Sequence, residues 1–158
     1  MKEQKEPIVS YDLAKLAKEK GFDWECYKCY DYALTSKYDE QDGYSSSFEW
    51  KKGELNLRGD YFVNNYNNID YSNKNWYMCA APTQSLLQKW LRDVHDINIF
   101  MNFKPNIKKW DFIPYSMNIN GKEYVKQNNE YLKLHRERRY DTYEEALEEG
   151  LKEALNKI

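Results

Sequence analysis

Tyr143, Ala146, Leu147, Gly150, Leu151, Ala154, Leu155 and Ile158 recur at the spacing of a single helix face, and this stripe constrains the fold more than any other feature of the sequence. Thr142 and Glu145 stand at the two positions of a capping box, where each side chain satisfies an amide that the first helical turn leaves unpaired. Glu144, Glu145 and Glu148 come early and Lys152 and Lys157 late, as the helix dipole favours. A helix over 142–157 with one apolar face needs a surface to lie on. Burial of Leu147, Leu151 and Leu155, at about 1.5 to 3 kcal/mol each, is enough to hold it there. Gly150 falls on the same stripe. A glycine inside a helix costs about 1 kcal/mol relative to alanine, so its place on the buried face predicts close approach by another group. Trp90 is the expected neighbour.

Two more helices are legible. Ser10 is a good N-cap, Leu13, Ala14, Leu16 and Ala17 follow, and Gly21 reads as the left-handed stop with Phe22 folding back on Leu16 or Ala17. The spacing predicts a helix over 11–20. Pro82 suits a first helical turn, and Leu86, Leu87, Trp90, Leu91 and Val94 continue at helix period, so a second helix is expected over 82–95. His95, at its end, is expected to cap carbonyls and meet the dipole.

After Asp96 the period changes to two, with Ile97, Ile99, Met101 and Phe103 alternating with Asn98, Phe100 and Asn102. A strand is expected there, then a turn at Pro105-Asn106 and a second strand over 110–119, in which Pro114 requires an edge position or a bulge. Asn120-Gly121 suits a hairpin turn that pairs 122–126 back, and 131–135 reads as a further strand. Earlier in the chain, 44–50 and 54–58 flank a Gly-containing turn and read as a hairpin, 64–75 reads as loop, and 76–80 as a strand. The expected fold is α+β: an antiparallel sheet of about 4–6 strands with the helices 11–20, 82–95 and 142–157 packed mainly on one face.

A chain of 158 residues is expected to form one domain, 1–158, with an aromatic- and Asn-rich polar region at 23–80. Mean hydropathy is low at -1.00, but 15 Tyr, 6 Phe and 5 Trp supply large burial where aliphatics are scarce. No apolar run approaches the ~20 residues of a membrane span, and the start MKEQKEPIVS carries charges where a signal peptide is apolar. A cytoplasmic protein without a membrane partner is expected. Charge is uneven. Residues 1–81 carry 11 Lys+Arg against 14 Asp+Glu, 82–140 carry 11 against 6, and 141–158 carry 2 against 6. The basic middle suits a small anionic ligand, while the overall charge of -2 gives no long-range attraction to nucleic acid.

Cys26 and Cys29 have the spacing of half a zinc site, and Cys79, His95 and His135 could complete one. No second close pair exists, and the acidic neighbours Glu25 and Asp31 do not favour a thiolate, so neither metal nor cofactor is expected. His135, Arg136, Arg138 and Arg139 form a candidate anion-binding strip, interrupted by Glu137. Trp50, Tyr61, Tyr66 and Trp76 are candidate ligand-binding aromatics, weighed against a plain role in the core. No glycine-rich phosphate loop, Ser/His/Asp arrangement or HExxH motif occurs, so no catalytic residue is assigned. The helix-sheet-helix order is similar to that of the double-stranded-RNA-binding domain. That family places lysines at the start of its last helix, where this chain has Glu144 and Glu145.

The phrases AKLAKEKGF, APTQSLLQKWLRDVHDINIF and YDTYEEALEEGLKEALNKI resemble a family of short uncharacterised proteins of bacteroidete bacteria and their phages. The resemblance covers the first helix and most of 80–158, and implies an accessory protein of a phage or prophage acting in the bacterial host cell. A non-enzymatic binding module that engages a host protein or a small signalling ligand is the expected function. The alternatives are a nucleic-acid-binding protein using Lys104, Lys108, Lys109, Arg136, Arg138 and Arg139, and a small hydrolase.

Overall fold

The computed structural model describes residues 6–33, 55–64, 67, 76–116 and 138–158. Its elements are α1 (Tyr11–Glu19), β1 (Cys26–Ala33), β2 (Leu55–Asn64), β3 (Trp76–Ala80), α2 (Gln84–His95), β4 (Ile97–Lys104), β5 (Lys109–Ser116) and α3 (Tyr143–Leu155). The chain is α+β, but the expected single sheet is replaced, among the described residues, by two antiparallel sheets: β2-β1-β3 and β4-β5. They belong to separate compact units, one of Met1–Phe22 with Pro82–Ile158, the other of Asp23–Ala81. The second unit coincides with the aromatic- and Asn-rich region of the sequence. Composition changes where the architecture does.

In the first unit the helix signals are used as written. Ser10 Oγ accepts from the Leu13 amide at 3.3 Å. Gly21 takes φ +88°, and the Phe22 and Gly21 amides reach Ala17 O at 2.9 Å and Lys18 O at 3.0 Å, the paired bonds of a Schellman stop. Phe22 is thereby turned inward and meets Trp90 edge-on at 5.4 Å. Helix α2 begins two residues later than expected, because Thr83 is the N-cap and Pro82 precedes it. The Pro82 carbonyl accepts from Val9, as the chain segments before α1 and α2 pair through an Ile8–Thr83 bridge.

Where these two helices begin, Glu148 of α3 lies between them. Its carboxylate accepts from the Ser10 amide at 2.8 Å and from Gln84 Nε2 at 3.0 Å, and Gln84 Nε2 also reaches Glu144 O at 3.0 Å. A carboxylate beside two helix N-termini is favourably placed; the buried Gln84 side chain ties α3 to α2, and the Ser10 amide ties it to α1. Helix α3 itself carries the complete capping box of Thr142 and Glu145 and ends at Leu155, two residues before the expected end.

Helix α3 runs along one face of the β4–β5 hairpin. Cross-strand partners Ile99–Pro114, Met101–Phe112 and Phe103–Trp110 share that face. A Cβ placed on Gly150 would lie 2.9 Å from Ile99 Cγ2 and 3.1 Å from Phe112 Cδ2, so the glycine is there to let the helix settle on the sheet. The expected neighbour, Trp90, is therefore corrected to Ile99 and Phe112. Among the described residues Pro114 stands on a strand, β5, whose only sheet partner is β4. The Trp110–Tyr140 backbone pair shows that residues 110, 112 and 114 turn their amide groups away from β4. Along that outer edge the Phe112 amide donates to Asp111 Oδ1 at 2.9 Å, Pro114 has no N–H, and Lys157 Nζ donates to the Pro114 carbonyl at 3.1 Å. Burial holds the Lys157 ammonium below its ordinary pKa.

In the second unit β1 is the centre strand. It pairs with β2 from Lys28–Gly59 to Tyr32–Leu55 and with β3 from Cys29–Ala80 to Ala33–Trp76. Its register with β2 is irregular between Cys26 and Lys28. Cys26 and Cys29, on either side of that break, are both buried. The strand expected at 76–80 is present. Leu55–Arg58, expected in a hairpin with 44–50, forms part of β2, whose described partner is β1. The 44–50 half, the Asn120-Gly121 hairpin with 122–126, and the strand at 131–135 lie outside the described residues.

Candidate interaction surface

The hairpin face that α3 covers at Ile99 and Phe112 continues beyond the start of the helix. There Phe103 and Trp110, directly opposite each other on β4 and β5, place their ring centroids 5.0 Å apart. Tyr143, the first residue of α3, meets Trp110 edge-on at 5.1 Å and 86°. The three rings form a row from β4 through β5 to the helix. Phe103 is 45% exposed, Tyr143 36%, and Ile107 in the adjoining turn 48%. Trp110 is half-buried in the middle.

The scaffold under this row is tightly fixed. The Trp110 backbone is bonded on its outer side to Tyr140 through two hydrogen bonds of 2.9 and 3.1 Å. The capping box holds the turn from which Tyr143 projects, with Thr142 Oγ1 accepting from Glu145 N at 3.1 Å. Lys109 is ion-paired with Asp141, tying the hairpin to the entrance of the helix. Around the rings, Lys108 and Glu144 are exposed, so the rim carries both signs of charge. Lys108 sits in the left-handed region at φ +51° within the turn Pro105–Lys108. The arrangement offers aromatic area, rigidity and a polar rim, the composition of a recognition surface.

Of the residues expected from the sequence to bind, four are described. Trp50, Tyr66, His135 and Arg136 lie outside the described residues. Tyr61 falls in β2 and Trp76 begins β3. Arg138 is ion-paired with Glu153 at 2.7 Å, and Arg139 donates to the Arg138 carbonyl at 3.1 Å. Of the lysines proposed for nucleic acid, Lys104 is held by the buried Asp111 at 2.7 Å and Lys109 by Asp141. Lys108, between them in the turn, is exposed.

The cysteines are buried thiols. Cys29 is paired with Ala80 and Cys79 with Tyr30, positions that face opposite sides of the sheet, so these two sulfurs do not converge. Burial pushes the Cys26 thiol up to about 12, and its Sγ donates to Trp24 O at 3.6 Å. Such a thiol is a poor nucleophile and a poor metal ligand. Among the described residues no group of three or more His, Cys, Asp or Glu side chains could hold a metal. His95 stands in the last turn of α2, as expected, but its Nε2 caps no carbonyl. Its ring packs on Trp90 at 4.5 Å, and Nε2 is buried without a hydrogen bond.

Sequence reasoning missed Phe103, Ile107, Trp110 and Tyr143 as a group. Phe103 and Tyr143 each stand on an apolar stripe, and a stripe does not show where its cover ends. The available signal was the turn: with a reversal at Pro105-Asn106, Phe103 and Trp110 become cross-strand partners. In comparisons with known proteins, no family model, curated protein or solved structure matches the chain. Among the described residues, no helix is long and apolar enough to cross a membrane.

Proposed function

We propose that this chain is a non-enzymatic binding module that engages a protein partner through the row Phe103–Trp110–Tyr143. The observation that carries the proposal is the partial exposure of a row of three rings, Phe103 and Tyr143 each packed on Trp110, on a hydrogen-bonded backbone, with Ile107 beside them and a rim of both charge signs. Aromatic anchors inside a polar rim account for most of the energy in protein interfaces. A carboxylate-bearing rim, with Asp141 and Glu144 next to Tyr143, suits a protein better than a phosphate backbone. The family resemblance of residues 80–158 adds the setting: an accessory protein of a phage or prophage, with a host protein as the partner.

The test is capture from a bacteroidete lysate by the immobilised chain, run in parallel with a Phe103→Ser, Tyr143→Ser double variant whose fold is checked by circular dichroism. A partner retained by the wild type and lost by the folded variant supports the reading. Equal capture by both would sink it. A thermal-shift screen with nucleotides covers a small anionic ligand, for which a stabilisation unchanged in the double variant would move the site away from this row.

A further inference from the structure

We draw no further inference here: the strongest candidate outside the aromatic row, the buried junction where the first turns of α1 and α2 meet Glu148 and Gln84 Oε1 is left without a hydrogen bond, carries nothing, because its carboxylate opposes an anion, the two helix N-termini oppose a cation, and nothing in the structure shows what neutral group would occupy it.

Discussion

Phe112 and Phe103 lie on the same face of one hairpin, yet the first is fully buried and the second 45% exposed. The difference comes from the helix above them. At the Phe112 end, Gly150 removes the one side chain that would hold α3 off, and the helix closes over Ile99 and Phe112. At the Phe103 end α3 is only beginning, and Tyr143 reaches Trp110 from the side instead of covering it. One end of the face serves stability, and the other presents aromatic surface. Aromatic content alone does not tell the two apart. What separates them is how closely a neighbouring backbone can approach.

The largest effect expected from this comparison is at the covered end. Phe112→Ala removes a fully buried ring between α3 and Tyr140 and should cost about 3 to 5 kcal/mol, seen as a large drop in the urea midpoint. A loss under ~1 kcal/mol would mean that this end is not closed. Gly150→Ala comes next. Its new Cβ would press on Ile99 Cγ2, a branch fixed directly at the side chain's base, and on a buried ring, neither of which can swing away. Overpacking costs about 1 to 3 kcal/mol, and the gain in helix propensity returns about 1. A lower midpoint, corresponding to a net stability loss of ~1 kcal/mol, is the expected result. A higher one would show that the helix has room above the sheet.

How much of this was legible follows from the range of the signals involved. Ser10, Gly21, Thr142 and Glu145 act on amides within a few residues, so the sequence specifies α1 and the start of α3 nearly to the residue. Gly150 was legible as a close approach, but a stripe names the buried face of a helix without naming what lies under it, and Trp90 was the wrong neighbour. Strand β1 was missed because the irregularity near Cys26 breaks the two-residue period by which strands are recognised. Pairing of β1 with β2 joins segments more than twenty residues apart, where no local rule applies. The aromatic row needed two facts at once, the cross-strand register of Phe103 with Trp110 and the place where α3 starts. Density of aromatics singles out Trp50, Tyr61, Tyr66 and Trp76, and density carries no register.

Thr142→Ala tests the entrance of the helix, where the two ends of the comparison meet. It removes the hydroxyl that accepts from Glu145 N and leaves the Glu145 carboxylate to cap alone. The expected cost is about 1 kcal/mol. Because Tyr143 projects from that turn, fraying there should also loosen its contact with Trp110, giving faster amide exchange at residues 143–146 with little change at 150–155. Exchange that rises equally along α3 would mean that the helix moves as one piece and that its two ends are not distinct.

The smallest effect on stability, and the sharpest on binding, is expected at the open end. Phe103→Ser deletes a ring whose partner contact is with Trp110, an interaction of about 0.5 to 1.5 kcal/mol when fully formed and less at a half-exposed position. The hairpin register does not depend on it, since backbone pairing runs from Ile97–Ser116 to Lys104–Lys109 and α3 fixes the far end. The urea midpoint should therefore shift by well under that of Phe112→Ala, while capture of a partner through the row should weaken by tenfold or more, as truncation of an aromatic anchor does. If the midpoint instead fell as far as in Phe112→Ala, Phe103 would belong to the core, and the contrast between the two ends of the face would disappear together with the proposed site.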